Sequence, residues 1–288
     1  ENYSKNPLTN DEKNRVEKWL VDRMNGEEMV IDTASLTSYK NEEFDLTQID
    51  TNKPTALLSA NVVWDLAALN KEVFTKSMAD WIIETINWFK QHPEYQLIVK
   101  SHPAEYFPGI PETKETVISM IQKEFSEIPK NIFVLSAKVS STVYDLLSLS
   151  SVGLVFTSSV GMEMAARGFP VISAGKSHYS GYGFIYNPSS QSEYFRILEN
   201  CLSDKRDIER LKNKDLAMKF IKFNFFHYFT KTGFMEFSFG KEKNGRLHMN
   251  IERLVQLEKG HSKNFDYIVD CIENGEAVLS ENKWMEES

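Results

Sequence analysis

The stretch Val152–Val171, which reads VGLVFTSSVGMEMAARGFPV, decides the fold. It opens with the apolar run Val152–Phe156, which predicts a buried strand because short apolar runs bounded by turn residues are typical of sheet cores. A loop of small residues follows, then a short helical segment that ends at Gly168, and a second strand is predicted at Pro170–Ser173. Strand, helix and strand in this order predict a βαβ unit with two parallel strands.

The same alternation of apolar runs and helical periodicity extends toward the N-terminus. Strands and helices alternate at 55–60, 73–89, 95–100, 112–125, 131–135 and 142–149. We therefore predict an α/β fold, with a Rossmann-like parallel sheet that carries helices on both faces. In such sheets ligands bind outside the carboxyl ends of the strands.

The chain divides into three predicted parts. Residues 1–53 hold one helix, which starts at the capping-box pair Thr9 and Glu12, and then a linker. Residues 54–205 form the Rossmann-like domain, and residues 206–288 a C-terminal extension with helices and many aromatic residues. The aromatic residues between 223 and 239 either pack in a core or interface, or offer a platform on which a sugar stacks.

The composition of the chain limits the classes of protein to which it can belong. The 288 residues carry a net charge of −8, which argues against a nucleic-acid partner because such proteins need a basic surface. Cys201 and Cys271 lie far apart in sequence, which favours free thiols in a reducing compartment and a cytoplasmic location. No apolar run reaches the roughly 18 residues of a membrane span, and no secretory signal is visible. Because the chain starts at Glu1 instead of Met, we expect it to be trimmed or part of a longer polypeptide.

Polar residues follow the predicted strands at their carboxyl ends. In chain order these are Asn61 and Asp65, then Ser101, His102 and Glu105, then Ser136, Ser140 and Ser141, then Thr157, Ser158 and Ser159, then His178 and Tyr179. The loops at the opposite edge, such as 91–94 and 129–130, carry ordinary surface residues. This asymmetry predicts a ligand site at the carboxyl edge of the sheet.

The segment Thr157–Gly161 is predicted to bind a phosphate. It offers three hydroxyls and the N–H groups of a helix start, and Gly161 lets an anion approach the backbone closely. The alternative is ordinary N-capping by Ser158 or Ser159, and the two interpretations are compatible.

His102 is a second candidate at the same edge. Pro103 keeps it out of the α region, so the chain turns after the strand instead of entering a helix. An N–H donor or a cation at this place would stabilise a departing phosphate. The alternative is that His102 satisfies a loop carbonyl, and His92-Pro93 repeats the dipeptide at the opposite edge.

Glu163 and Asp65 are candidate carboxylates. Glu163, in the first turn of the helix, could accept hydrogen bonds from ribose hydroxyls. Alternatively, it could be there because the helix dipole favours a carboxylate, or it could pair with Arg167 one turn later. Asp65 could act as a base or nucleophile, or could cap the following helix.

The glycine-rich loop Gly175–Phe184 is either a ligand-contacting loop or a plain turn. With this loop we group four candidate substrate contacts, namely Asn61, Glu105, His178 and Tyr179. No HExxH, CxxC, DxD, nucleophile-elbow or Walker pattern is present, so we expect no metal site.

Four blocks in order resemble the capsule polysaccharide biosynthesis family, which includes the Kdo transferases of capsule assembly. They are SANVVWD (59–65), LIVKSHPAE (97–105), TSSVGMEMAARGFPVI (157–172) and SHYSGYGF (177–184). The resemblance covers about residues 55–200. It implies a GT-B glycosyltransferase of bacterial surface-glycan synthesis, in which residues 54–205 form the C-terminal lobe that binds a nucleotide sugar.

The resemblance also implies roles for single residues. His102, with Ser101 beside it, would contact the donor phosphate and take part in catalysis, and Ser158 and Ser159 would line the same phosphate. Glu163 would hold the ribose, by its match to the GT-B pattern E-x-x-A-x-G-x-P-V at Glu163, Ala166, Gly168, Pro170 and Val171. His-Pro followed by a Ser-Ser element also resembles CMP-sugar enzymes, which favours CMP over UDP or GDP.

By the same resemblance we expect no cofactor other than the nucleotide-sugar substrate. The acceptor would be a glycan or glycolipid, and the protein would associate with assembly machinery at the inner face of the membrane. Residues 1–53 are too few for an N-terminal acceptor lobe, which we expect to lie outside this chain.

The expected reaction displaces a nucleotide from an anomeric carbon without a metal ion. Two alternatives stay open. One is a polyol-phosphate transferase that uses a CDP-alcohol, and the other is a non-catalytic module that binds a nucleotide or a glycan.

Overall fold

The computed structural model describes most of the chain. The described residues are 6–25, 42–63, 68–106, 113–203, 209–228, 235–238, 246–249, 254–255 and 257–276. The chain falls into two compact units, a larger one of Ala34–Phe107 and Pro111–Ala217, and a smaller one of Glu1–Thr33, Pro108–Ile110 and Met218–Ser288. The functional division of the sequence at residues 53 and 205 stays a prediction.

The larger unit is built on a five-stranded sheet of order β3-β2-β1-β4-β5, in which every neighbouring pair is parallel. Its strands are β1 Thr55–Ser59, β2 Gln96–Lys100, β3 Ile132–Leu135, β4 Val152–Val155 and β5 Val171–Ser173. The predicted α/β fold with a Rossmann-like parallel sheet is therefore confirmed, and each strand lies within one residue of its expected ends.

The α-helices of the described chain are α1 Asn10–Asn25, α2 Met78–Gln91, α3 Val117–Glu124, α4 Val143–Leu147, α5 Val160–Ala166, α6 Gln191–Leu202, α7 Glu209–Ile221 and α8 Lys263–Asn274. Of these, α2 to α5 connect the consecutive strands of the sheet. All residues of β1, β2 and β4 are buried, as expected for central parallel strands that helices cover on both faces.

Two helices begin later than their hydrophobic periodicity predicts. Helix α2 begins after Ser77 instead of at 73, and α3 begins after Thr116 instead of at 112. The reason is capping: each hydroxyl accepts the main-chain N–H three residues later, at 3.0 Å from Asp80 and 3.1 Å from Ser119.

In the core of the larger unit, α2 packs against the sheet. Trp81 of α2 and Phe156, which follows β4, are both fully buried, with ring centroids 5.8 Å apart. This packing fixes the chain at the end of β4, where the predicted phosphate loop begins.

The smaller unit contains α1 and α8, a π-helical segment Lys222–Tyr228, and an antiparallel hairpin of β6 Met235–Ser238 and β7 Arg246–Met249. Helix α1 starts with the predicted capping box, because Thr9 and Glu12 exchange hydrogen bonds of 2.8 and 3.3 Å.

Within this unit the π-helical segment Lys222–Tyr228 packs on α1 through Phe225. The Trp19 and Phe225 ring centroids lie 4.4 Å apart, and Lys222 pairs with Glu12. At Phe225, therefore, the structure shows packing. Strands β6 and β7 differ from the helices expected of residues 206–288. They alternate apolar and polar residues over only four positions each, too short for the pattern to be recognised in sequence.

Candidate functional site

The strand order places a topological switch point between β1 and β4. From β1 the chain adds β2 and β3 on one side, and then returns to add β4 and β5 on the other. Crevices at such points, outside the carboxyl ends of the two strands, are the usual ligand sites of open α/β sheets.

Two predicted site residues meet at this switch point. Asn61 follows β1 and Thr157 follows β4, and the main-chain N–H of Thr157 donates to Asn61 Oδ1 at 3.3 Å. Both side chains are buried. Among the described residues, the Thr157 hydroxyl has no hydrogen-bond partner. A buried hydroxyl without a partner is costly, so it marks a place where a ligand oxygen or a bound water belongs.

The turn Thr157–Ser159 leads into α5. Ser159 stands at the N-cap position, yet its side chain makes no capping hydrogen bond. Ser158 and Ser159 are only half-buried. The ordinary capping alternative therefore does not account for these hydroxyls in the described chain, and their place beside the crevice is compatible with ligand contact.

His102 stands at the end of β2, the strand next to β1. The Ala104 N–H donates to His102 Nδ1 at 3.1 Å. That nitrogen must therefore be the unprotonated one, and Nε2 carries the proton of the neutral ring. The side chain is half-buried. The imidazole is thus oriented by its own loop as an N–H donor through Nε2.

Ser101 and Glu105 flank the histidine and are both buried. The Glu105 carboxylate accepts the Val117 N–H at 2.8 Å, at the start of α3. Burial raises the pKa of Glu105, and the Val117 N–H, the Lys100 charge and the Ser101 hydroxyl oppose that rise. The Ser101 hydroxyl lies near enough to influence Glu105 but makes no hydrogen bond of standard geometry within the described residues.

Glu163 lies in the first turn of α5 and is 1% exposed. Its Oε2 accepts a hydrogen bond from the Tyr144 hydroxyl on α4. Arg167, one turn later, donates from Nη1 to the Glu163 main-chain oxygen at 3.2 Å, and its guanidinium lies 4.9 Å from the Tyr144 ring centroid. Burial lowers the pKa of Arg167, while the Glu163 carboxylate and Tyr144 oppose that shift. The buried carboxylate is thus compensated within the protein.

The loop after β5 carries two predicted substrate contacts, of which one is buried and the other exposed. His178 is exposed, whereas Tyr179 is fully buried and donates its hydroxyl to the Ser158 carbonyl oxygen at 2.5 Å. A Cβ at Gly161 would lie 2.4 Å from the Tyr179 oxygen. The space beside Gly161 is therefore filled by Tyr179, which gives the glycine a role in packing at this position.

The carboxyl edge therefore gathers Asn61, Ser101, His102 and the Thr157–Ser159 turn on the adjacent strands β2, β1 and β4. Asp65 lies outside the described residues, and its proposed catalytic role stays a prediction. Sequence reasoning missed Tyr144, whose only local signal is the capping box of α4 between Thr142 and Asp145.

A cavity of about 600 Å³ opens at the other edge of the same sheet. The loops before β1, β4 and β5 line it, with Lys53, Ser151 and Arg167 among its residues. Among the described residues that line it, none carries a carboxylate or an imidazole. We place the candidate site at the carboxyl edge, because the switch point and the unpartnered Thr157 hydroxyl lie there.

Among the described residues, no three His, Cys, Asp or Glu side chains are grouped as a metal site. No helix in the described ranges has the length and apolar character needed to span a membrane.

Searches against family models and against curated proteins gave no match. Solved structures gave matches at low identity. The β-Kdo 2,4-transferase and β-Kdo 2,7-transferase KpsC structures of Thermosulfurimonas dismutans are 15% and 17% identical, with TM-scores of 0.39 and 0.37. These alignments cover 72% and 87% of this chain, but only 56% and 62% of the two transferase chains.

A UDP-GlcNAc 2-epimerase from Neisseria meningitidis, solved with UDP-GlcNAc bound, is 12% identical with a TM-score of 0.39. That alignment covers 69% of this chain and 46% of the epimerase. Similarity at this level assigns no activity to the present chain, which spans little more than half the length of the transferases.

Proposed function

We propose that this chain carries the nucleotide-sugar-binding lobe of a GT-B glycosyltransferase that acts in capsular or other surface polysaccharide synthesis. The favoured donor is a CMP-linked sugar, and the acceptor is a glycan or glycolipid. The observation that carries the proposal is the Thr157 hydroxyl at the switch point, buried and without a partner among the described residues. A ligand oxygen would satisfy it.

The proposed chemistry takes place at the donor phosphate. The bond between the anomeric carbon and the phosphate oxygen breaks, and the nucleotide leaves with the electron pair. An acceptor hydroxyl oxygen forms the new bond and gives up its proton to a general base, for which Asp65 is the candidate from the sequence. The Nε2–H of His102 and the hydroxyls of Thr157, Ser158 and Ser159 would stabilise the charge that develops on the departing phosphate. The proposal assigns this task to side chains and not to a metal ion.

Glu163 is proposed to hold the ribose. Because its carboxylate is 1% exposed and accepts the Tyr144 hydroxyl, a ribose reaches it only if Tyr144 moves. A ribose hydroxyl would then replace the phenol as donor, so the carboxylate would keep a hydrogen bond throughout.

Calorimetric titration with CMP, UDP, GDP and CDP tests the proposal. We expect CMP to bind most tightly, and His102→Ala to weaken CMP at least about tenfold, the loss of one hydrogen bond to a charged group. The matched control is His92→Ala, since His92 also precedes a proline but lies at the opposite end of β2. Binding of none of the four nucleotides, or equal weakening by both alanine variants, would contradict the proposal.

A second pair of variants addresses the hydroxyl directly. Thr157→Val removes the unpartnered hydroxyl, and the control Thr55→Val removes an equally buried one at the amino end of β1, bonded to the Lys53 carbonyl. We expect only Thr157→Val to weaken CMP. In a longer protein that turns over, a phosphodiester product would identify a polyol-phosphate transferase instead of a glycosyltransferase.

A further inference from the structure

Tyr179 is held inside the larger unit next to the candidate phosphate turn. Its side chain is 0% exposed, and its hydroxyl donates to the Ser158 carbonyl oxygen at 2.5 Å. The same carbonyl oxygen also accepts the Gly161 N–H at 3.1 Å. Both lone pairs of this carbonyl are therefore engaged. Burial raises the pKa of the Tyr179 phenol, so the hydroxyl stays protonated and remains a donor.

Gly161 and Tyr179 fit one another closely. A Cβ on residue 161 would lie 2.4 Å from the Tyr179 oxygen and 2.9 Å from Cγ2 of Val155. Only glycine leaves room for the hydroxyl at this point, and Val155 is buried in β4 and has little freedom to yield. The first turn of α5 and the tyrosine thus hold each other in place.

The turn is fixed from both ends. Asn61 accepts the Thr157 N–H from the side of β1, and Tyr179 binds the Ser158 carbonyl from the loop after β5. A carbonyl oxygen carries partial negative charge and repels a phosphate nearby, and each hydrogen bond that it accepts reduces this repulsion. A carbonyl with two donors is compensated, and the turn then offers its hydroxyl groups to an anion.

We propose that Tyr179 is a positioning residue of the phosphate subsite, which holds and compensates the Ser158 carbonyl so that the Thr157–Ser159 turn can bind an anion. The inference rests on the proposed function, because it needs the turn to bind the phosphate of a nucleotide. It gives Tyr179 a role different from the expected substrate contact, because its hydroxyl already donates to the Ser158 carbonyl oxygen.

The test compares Tyr179→Phe with Tyr194→Phe. Tyr194 is a close match: it is 1% exposed, its hydroxyl hydrogen-bonds the Thr85 hydroxyl at 3.1 Å, and it lies on α6. CMP affinity is measured by calorimetry at a temperature where each chain is folded, and thermal unfolding is followed separately. We expect both variants to lower the melting temperature, but only Tyr179→Phe to weaken CMP, by about tenfold.

Gly161→Ala is the second variant, for the case that Tyr179→Phe does not fold. It keeps the phenol but displaces its oxygen, and it should weaken CMP in the same way. Unchanged CMP affinity in both the Tyr179→Phe and Gly161→Ala chains would overturn the inference, as would equal weakening by Tyr194→Phe. If the unaltered chain binds no nucleotide, the proposed function itself fails, and the inference falls with it.

Discussion

The side-chain oxygen of Asn61 accepts the main-chain N–H of Thr157 at 3.3 Å, and this bond joins the ends of β1 and β4 at the point where the strand order reverses. The two residues are far apart in sequence and both are buried. The bond fixes the start of the turn that carries the Thr157 hydroxyl, which has no hydrogen-bond partner within the described ranges.

Asn61→Ala should destabilise the larger unit. It removes the acceptor of a buried main-chain N–H, and an unsatisfied buried donor costs about 1–3 kcal/mol. The free energy of unfolding from urea titration measures this loss. Asn61→Asp restores an acceptor but adds negative charge beside the proposed phosphate, so it should bind CMP more weakly than Asn61→Ala does. Tighter CMP binding by the aspartate variant would contradict an anion at this place.

Gly161→Ala should cost about 1–3 kcal/mol of stability, the usual effect of forcing an extra methyl group into a packed site. The predicted overlap is with the Tyr179 oxygen, so Tyr179→Phe should relieve part of the cost. A double-mutant cycle on the free energy of unfolding measures this coupling. Simple additivity of the two changes would show that the overlap does not exist in solution.

The strands could be predicted from the sequence because helices cover both faces of the sheet. The runs at 55–60, 95–100, 131–135, 152–156 and 170–173 are mostly apolar, which is what a covered parallel sheet requires. The starts of α2 and α3 were less predictable, because the capping hydroxyls of Ser77 and Thr116 override a hydrophobic pattern that continues past them.

Only part of the candidate site could be predicted from the sequence. Asn61, His102 and Thr157 could be expected at one edge, because each follows a strand. The strand order that brings Asn61 to Thr157 depends on long-range packing, which no local pattern fixes. The hydrogen bonds of Tyr144 to Glu163 and of Tyr179 to Ser158 could not be predicted, for the same reason. Tyr144 lies on α4 and Tyr179 in the loop after β5, so each belongs to a different connection between strands from that of its partner.

Glu105→Gln should make stability less dependent on pH. Burial raises the pKa of Glu105 above its ordinary value of 4.5, so the folded chain binds a proton more tightly than the unfolded chain does. This contribution is fully present below pH 4.5 and is lost as the pH rises through the raised pKa of the folded state. Glutamine cannot titrate but can still accept the Val117 N–H.

Urea unfolding between pH 4 and pH 8 tests this prediction. The stability of the unaltered chain should fall relative to that of Glu105→Gln as the pH rises. Glu124→Gln, at an exposed position of α3, is the matched control and should follow the unaltered chain. A parallel pH dependence in Glu105→Gln and the unaltered chain would show that Glu105 is not the source.

Tyr144→Phe should destabilise the larger unit by about 1.5–3 kcal/mol, the usual range for a hydrogen bond to a charged group. The phenylalanine ring still faces Arg167, and the change removes the hydroxyl that contacts the Glu163 carboxylate. In a Glu163→Gln background, Tyr144→Phe should lower the free energy of unfolding by less, since a neutral amide forms a weaker hydrogen bond with the hydroxyl. Equal costs in both backgrounds, measured by urea unfolding, would contradict a charged carboxylate at this contact.

A crystal structure of this chain with CMP would locate the bound phosphate. We predict that the phosphate lies at the switch point between β1 and β4, within hydrogen-bond distance of His102 Nε2 and of the Thr157 hydroxyl. A nucleotide bound instead in the cavity at the opposite edge of the sheet, among Lys53, Ser151 and Arg167, would contradict this prediction.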